Sequence, residues 1–308
     1  VVKKHSIKVA TRSSNLAIHQ ANQVKRAVEA VNADISVDLV TLVSSGDLMH
    51  EKPIRAIGSQ GVFAKEIQTA VLTGRADIAV HSAKDLPTVP VGDLEIVAVL
   101  KRGEVRDALV GCTIADLHDG SIVATGSPRR RAQLSFIHPG LVFSELRGNI
   151  ESRLRRSAEV DAVVVAAVAL ERLGLEAYVT DLLSTEAMLP QVGQGAIAVE
   201  CREGDLWIKE ILAQIDDYPS RLAVQAERSF MFTIGQASGH GGACNLPIAA
   251  LAQVNQRGLW VMRGMLASED GLVMLKEEAS GTDPMVLADI VADHILTSDE
   301  VSRVFESL

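Results

Sequence analysis

Apolar positions along the chain follow two alternating rhythms. IKVAT (7–11) is a short continuous apolar run and reads as a buried strand. NLAIHQANQVKRAVEAV (15–31) follows with apolar residues at helical spacing, and Ser13 or Ser14 is placed to cap it. ISVDLVTLV (35–43) returns to strand, and VFAKEIQTAVLTG (62–74) to a helix that ends at a glycine. ADIAVHS (76–82) and LEIVAVL (94–100) are further strands. The order strand, helix, strand, helix, strand predicts a parallel sheet with helices on both faces.

The pattern then restarts. SIVAT (121–125), LVFSEL (141–146) and the first part of DAVVVAAVALERL (161–173) read as strands. RRRAQLSFI (129–137), NIESRLRR (149–156) and the rest of 161–173 read as helices. VGQGAIAVEC (192–201) is a glycine turn into a strand. Its Gly-x-Gly lacks the third glycine and the following helix of a dinucleotide loop. After about Pro219 a helix (220–234) leads into the glycine-rich GQASGHGGAC (235–244). Three β-like runs, LPIAALAQV, GLWVMRGMLA and GLVMLKEEAS, then precede a helix at 283–296 with Asp283 as cap and Pro284 in its first turn. This grouping predicts a small α+β domain after two α/β units.

The chain has 308 residues, enough for two or three domains. Apolar residues make up 47% but aromatics only 3%, so aliphatic side chains must fill the cores. The net charge of -9 excludes general nucleic-acid binding, which needs a dominant positive surface. No apolar run reaches the ~18 residues of a membrane span, and VVKKHSIKVATR lacks the apolar stretch of a signal peptide. Cys112, Cys201 and Cys244 are odd in number and far apart, which argues against a disulfide framework or a cysteine zinc site. These features give the expectation of a cytoplasmic protein with no metal, membrane or nucleic-acid partner.

Against this acidic background, ATGSPRRRAQL (124–134) sets three arginines side by side. A charged helix start is one reading, and an anion site is the other. Residues just after each predicted strand bear on the choice, because open α/β sheets bind ligands at the carboxyl ends of their strands. Those positions hold Arg12, Ser13 and Ser14, then Lys84 and Asp85, then Gly126, Ser127, Arg129 and Arg130, then Arg147, Gly148 and Asn149; Arg172 lies in the helix after the last strand. Helix amino termini add free N–H groups and partial positive charge, and arginine forks bind carboxylates in pairs of hydrogen bonds. The array therefore suits a small ligand with many carboxylates. Asp85 is the one acid in it. It reads either as a cap or ion-pair partner of Lys84, or as a fixed charge that stabilises a developing cation. Cys244, on its glycine-rich loop, reads either as an incidental thiol or as a nucleophile or attachment point.

ATRSSNLA, ADIAVHSAKDLP, TGSPRRRAQL, RGNIESRL, LERLGLE, LPQVGQGAIAVECR and GGACNLPI resemble, in order, the motifs of the hydroxymethylbilane synthase (porphobilinogen deaminase) family, from about residue 7 to at least 250. The resemblance implies an α/β fold of two doubly wound, periplasmic-binding-protein-like domains plus a small α+β C-terminal domain. Domain 1 would span 1–99 and 196–218, domain 2 would span 100–195 and share a cleft with domain 1, and domain 3 would span 219–308. It implies a transferase that condenses four porphobilinogen molecules head to tail, releases ammonia and hydrolyses off linear hydroxymethylbilane in tetrapyrrole (haem) biosynthesis, as a monomer. By motif position Asp85 is the catalytic residue. Cys244 holds a dipyrromethane cofactor through a thioether, with Ser82, Lys84, Thr125, Ser127, Arg129, Arg130, Arg147 and Gly148 around it. Arg12, Ser14, Gln20, Phe63, Arg147, Arg153, Arg172 and Gln194 are implied to bind substrate. The chain departs from the family pattern at Ser45, Gln60, Pro128 and Ala243, and its cysteine loop is longer. Two rival readings are a non-catalytic anion-binding protein and a phosphate-ligand enzyme. Asp85 and Cys244 speak against the first, and the lack of a P-loop against the second.

Overall fold

The computed structural model describes residues 5–43, 64–239 and 246–307. In chain order its strands are β1 (His5–Arg12), β2 (Ile35–Leu42), β3 (Ile78–Ser82), β4 (Leu94–Val99), β5 (Asp107–Val110), β6 (Ile122–Ala124), β7 (Val142–Ser144), β8 (Ala162–Ala166), β9 (Asp181–Leu182), β10 (Ile197–Arg202), β11 (Ile248–Val254), β12 (Trp260–Ala267) and β13 (Met274–Gly281). The chain divides into two compact units. One is Val1–Gly103 with Gly195–Arg221, and the other is Glu104–Gln194 with Leu222–Leu308. No described helix is long and apolar enough to cross a membrane.

The first unit is built on a five-stranded sheet of order β2-β1-β3-β10-β4. Alternation along β1 sends Ile7 and Val9 to one face, where they pack with Val24 and Val28 of helix Asn15–Val31 and Ile208 and Leu212 of helix Leu206–Leu212. Ala10 and, from β3, Ala79 face the other way, against Ile67 and Val71 of helix Lys65–Leu72. Burial on both faces is why these strands read as nearly continuous apolar runs.

The second unit holds two sheets. One has five strands in the order β7-β6-β8-β5-β9, and the other is the antiparallel sheet β11-β12-β13. β8, the run AVVVA, is buried at every position. Sheet β11-β12-β13 packs one face on Phe230 of helix Tyr218–Ala237 and on Leu287, Val291 and Ile295 of helix Pro284–Leu296. Gly264 permits that approach: a Cβ there would lie 2.6 Å from both Phe230 and Val291. Ala249, Leu251 and Met265 meet Ala132 of helix Pro128–Ile137 on the other face.

Two expectations need correction. Each five-stranded sheet is mixed, not parallel: β10 runs antiparallel to β3 and β4, and β5 antiparallel to β8 and β9. Periodicity reports which face a side chain takes and carries no information on strand direction. Asp107, at the start of the four-residue strand β5, is likewise not among the expected site residues, and the site depends on it.

Candidate functional site

In the first unit, β1 and β3 end side by side, and their ends carry the chemistry. Ser14 caps helix Asn15–Val31, its hydroxyl accepting from the N–H of Ala17. One turn on, buried Gln20 donates to the hydroxyl of Ser82 at 2.8 Å, joining the helix to the end of β3. The chain then makes a single 3-10 turn, Ala83–Asp85. A small cleft opens here, lined by Arg12, Ala17, Gln20, Val80, His81, Ser82 and Asp85. Of the residues expected at the site, Arg12, Gln20, Ser82 and Asp85 thus meet in one cleft, with Ser14 at the adjacent helix cap. Lys84 is half-buried beside it and does not line it. Asp85 is half-buried, and its carboxylate makes no hydrogen bond or ion pair with another described residue. Among the described residues, neither a cap bond nor an ion pair holds this acid.

The second unit answers the question of the three arginines, and the answer differs from an open cationic rim. Ser127 caps helix Pro128–Ile137, accepting from the N–H of Arg130, and its own N–H reaches the hydroxyl of buried Thr125. Arg129 and Arg130 turn inward, with 3% and 7% of their surface exposed. Both close on Asp107, at the start of β5: Arg129 on Oδ2 and Arg130 on Oδ1, each at 2.7 Å. Their other branches donate to the carbonyls of Leu189 and Val164. Burial alone would raise the Asp107 carboxyl, but the two guanidiniums outweigh it and hold it well below the usual carboxylate range. Arg131 turns outward and pairs with Glu145 and the carbonyl of Thr125, over the Phe143 ring. Only the third arginine is therefore a surface charge. The sequence reading counted guanidiniums without the carboxylate that claims them.

Gln194, expected to touch substrate, is instead fully buried and donates to Asp107 Oδ1 and to the carbonyl of Val105. Gly148 takes φ +94°, a left-handed turn that favours glycine, and delivers Asn149 as cap of helix Ile150–Arg155. Arg153 reaches back to the carbonyl of Gly148. Arg147, half-buried just before that turn, has no side-chain partner among the described residues. Burial pushes Arg172 down to about 10. Phe63 and Cys244 lie outside the described residues, as do Ser45, Gln60 and Ala243. Besides Asp107, the sequence reading passed over His81, Gln68 and Glu200, which form a buried polar cluster behind the cleft wall. The one available signal was an acid inside each of the apolar runs DALV and AVECR.

Comparison with known proteins gives the chain a family. The family model described as porphobilinogen deaminase, dipyromethane cofactor binding domain, matches residues 7–210, and the porphobilinogen deaminase C-terminal domain matches 221–297. A porphobilinogen deaminase of Acidithiobacillus ferrooxidans is 42% identical over 293 residues, 94% of each chain. One of Roseiflexus sp. is 39% identical over 299 residues, 95% of this chain and 96% of its own. Among solved structures, the methionine binding protein MetQ aligns at a TM-score of 0.43 and 15% identity, over 70% of this chain and 93% of that one. With both family domains laid end to end along it, and relatives matching almost their whole length, the chain belongs to the porphobilinogen deaminase family.

Proposed function

We propose that this chain carries out its family's reaction, condensing four porphobilinogen molecules head to tail with loss of ammonia and releasing linear hydroxymethylbilane, with Asp85 as the catalytic carboxylate. The observation that carries this reading is Asp85, without a hydrogen bond or ion pair to another described residue, in a cleft whose walls include Arg12, Gln20 and Ser82. Loss of ammonia leaves a cation on the substrate. A carboxylate held beside it, with no competing partner among the described residues, stabilises that charge without reorganising. Arg12 and the Ser14 cap stand where a substrate carboxylate would be received, and Ser82, fixed by Gln20, presents its hydroxyl to the same space.

We further propose that dipyrromethane is held through a thioether to Cys244, in the third of three domains, with the boundaries given above. Once bound, that group supplies the pyrrole carbon on which the chain grows. The residues present suit a polycarboxylate. Arg129 and Arg130 each keep a buried Nε without a partner among the described residues, and Arg147 presents an unpaired guanidinium. Lys84, Thr125, Ser127 and Gly148 complete the proposed contacts, with Arg153 and Arg172 toward substrate. Gln194 acts through Asp107. The other two cysteines are poor attachment points. Cys201 is fully buried, its thiol pushed up to about 11 chiefly by burial, and burial raises Cys112 as well.

Intact mass tests the attachment. Wild type, Cys112→Ala and Cys201→Ala are expected to carry the added mass of two linked pyrroles, and Cys244→Ser to lack it. Full cofactor mass on Cys244→Ser would rule the assignment out.

A further inference from the structure

The first unit holds a buried polar cluster that the reaction as described does not use. Gln68 of helix Lys65–Leu72 donates its side-chain N–H to both Glu200 oxygens, at 3.1 and 3.0 Å. The other side of Glu200 faces His81, with Oε2 and Nε2 3.1 Å apart. Gln68, Glu200 and His81 are 2%, 4% and 6% exposed. Their neighbours on this face of the sheet are Ala10, Ile67, Ala70, Val71 and Ala79.

A carboxylate in such a layer is costly to desolvate, and well-packed apolar residues would serve stability as well or better. Register explains what the cluster gains. β10 runs antiparallel to β3 with Ala198 opposite His81, so Glu200 lies diagonally across from the ring, at the point where β10 shifts register against β4. His81 immediately precedes Ser82 and lines the same cleft as Asp85, Arg12 and Gln20. The carboxylate lies against the ring edge at Nε2 without a hydrogen bond of good geometry, and it holds the ring by close contact. Gln68 fixes the carboxylate. The last turn of β3 is thereby anchored from the face opposite Gln20.

We propose that Glu200, braced by Gln68, is a positioning residue that acts through His81 to hold the cleft wall from which Ser82 and Asp85 project. This inference rests on the reading of Asp85 as the catalytic carboxylate. Anchoring of this kind sets how well Asp85 is placed when charge develops, and leaves the anion contacts that bind substrate intact. Its signature is a loss in kcat with KM and cofactor mass unchanged.

The test is a double-mutant cycle in the cofactor-loaded protein with porphobilinogen as substrate. Glu200→Gln keeps the shape but removes the charge and turns one of the two oxygens that accept from Gln68 into an NH2. It is expected to lower kcat about ten- to a hundredfold, the range seen when outer-shell partners are removed, with KM within about twofold of wild type. In the His81→Asn background the same substitution is expected to change kcat by less than about twofold, because its effect passes through the ring. Equal, multiplicative losses in both backgrounds would overturn the inference, as would wild-type kcat with only a lowered melting temperature. Where Glu200→Gln fails to accumulate as folded protein, Gln68→Met is expected to give a smaller loss of the same kind, and unchanged kcat there overturns the inference too. Asp85→Asn on the same footing separates the two claims. Active Asp85→Asn overturns the site reading and this inference with it; inactive Asp85→Asn beside fully active Glu200→Gln overturns this inference alone.

Discussion

The two five-stranded sheets have the same plan and opposite electrostatics. In each, two strands flank a third, β1 or β6, in parallel, a single antiparallel strand follows, and one edge strand closes the order: β2-β1-β3-β10-β4 and β7-β6-β8-β5-β9. In each, a serine after the central strand caps the following helix, Ser14 in one and Ser127 in the other. Beyond the cap they part. Where Asn15–Val31 continues with Leu16 and Ala17, Pro128–Ile137 continues with Arg129 and Arg130. Ala17 lines a cleft that Asp85 also lines, whereas Arg129 and Arg130 turn inward and are tied down by Asp107. One plan therefore yields an open cleft with an acid in its wall and a buried cluster in which two guanidiniums share one acid. The choice is made by two residues after a cap and one acid on the antiparallel strand.

Removing that acid is expected to have the largest effect. Asp107→Asn leaves two buried guanidiniums without their anion, at a cost of about 3–5 kcal/mol. Faster amide exchange is expected across β5 and β8, with β1 and β3 unchanged. Uniform exchange in both sheets would break the comparison. Acid sharpens the same point. A carboxyl depressed in the fold contributes its full stability above its unfolded value, about 3.9, and loses it as pH falls below that toward the depressed folded value. The gap in β5 and β8 protection between wild type and Asp107→Asn is therefore expected to narrow steadily below about pH 4. A gap independent of pH down to 2 would show that the guanidiniums do not hold the acid ionised.

On the other sheet the expected loss is in rate. Asp85→Asn keeps the shape of the side chain and removes the charge, and a loss of roughly a hundredfold or more in kcat is expected, about 2.7 kcal/mol at the low end. Asp85 makes no hydrogen bond or ion pair with another described residue, so the melting temperature is expected to stay at the wild-type value. Asp85→Asn that turns over porphobilinogen at the wild-type rate would mean that the acid is structural after all. The opposite signatures of the two aspartates, one in stability and one in rate, are what the shared plan with different charge requires.

The half-sites were not equally legible in the sequence. The cleft could be read because its residues are local: Arg12 and Ser14 follow β1 directly, and Ser82, Lys84 and Asp85 close β3. The arginine triad could not. Asp107 lies 22 residues before Arg129, on a strand too short to show a period, and pairing across such a separation leaves no mark in local pattern. Gln194 joins it from 87 residues away. Glu200 was hidden for a related reason. It occupies one position of a strand buried on both faces, where the apolar neighbours dominate the reading. In each case at least one member of a buried cluster left no local mark, and it is the partner that decides whether a charge binds a ligand or supports the fold.

Arg131 provides the smallest expected effect and the sharpest control on that statement. It belongs to the same run of three, yet its ion pair with Glu145 is formed between side chains 27% and 58% exposed. An exposed pair of this kind contributes about 0–1 kcal/mol, most of it screened by salt. Arg131→Ala is therefore expected to leave kcat and KM unchanged and to lower stability only slightly, with the ion-pair share vanishing in high salt and the bonds to the Thr125 carbonyl remaining as the salt-independent part. Arg129→Ala, two positions earlier, leaves one Asp107 oxygen without its donor in a buried place and strips one of two donors from the Leu189 carbonyl, and is expected to cost several times as much at any ionic strength. If urea titration gave the two substitutions equal, salt-sensitive losses, the division of the run into buried and surface arginines would be wrong, and with it the contrast between the two sheets.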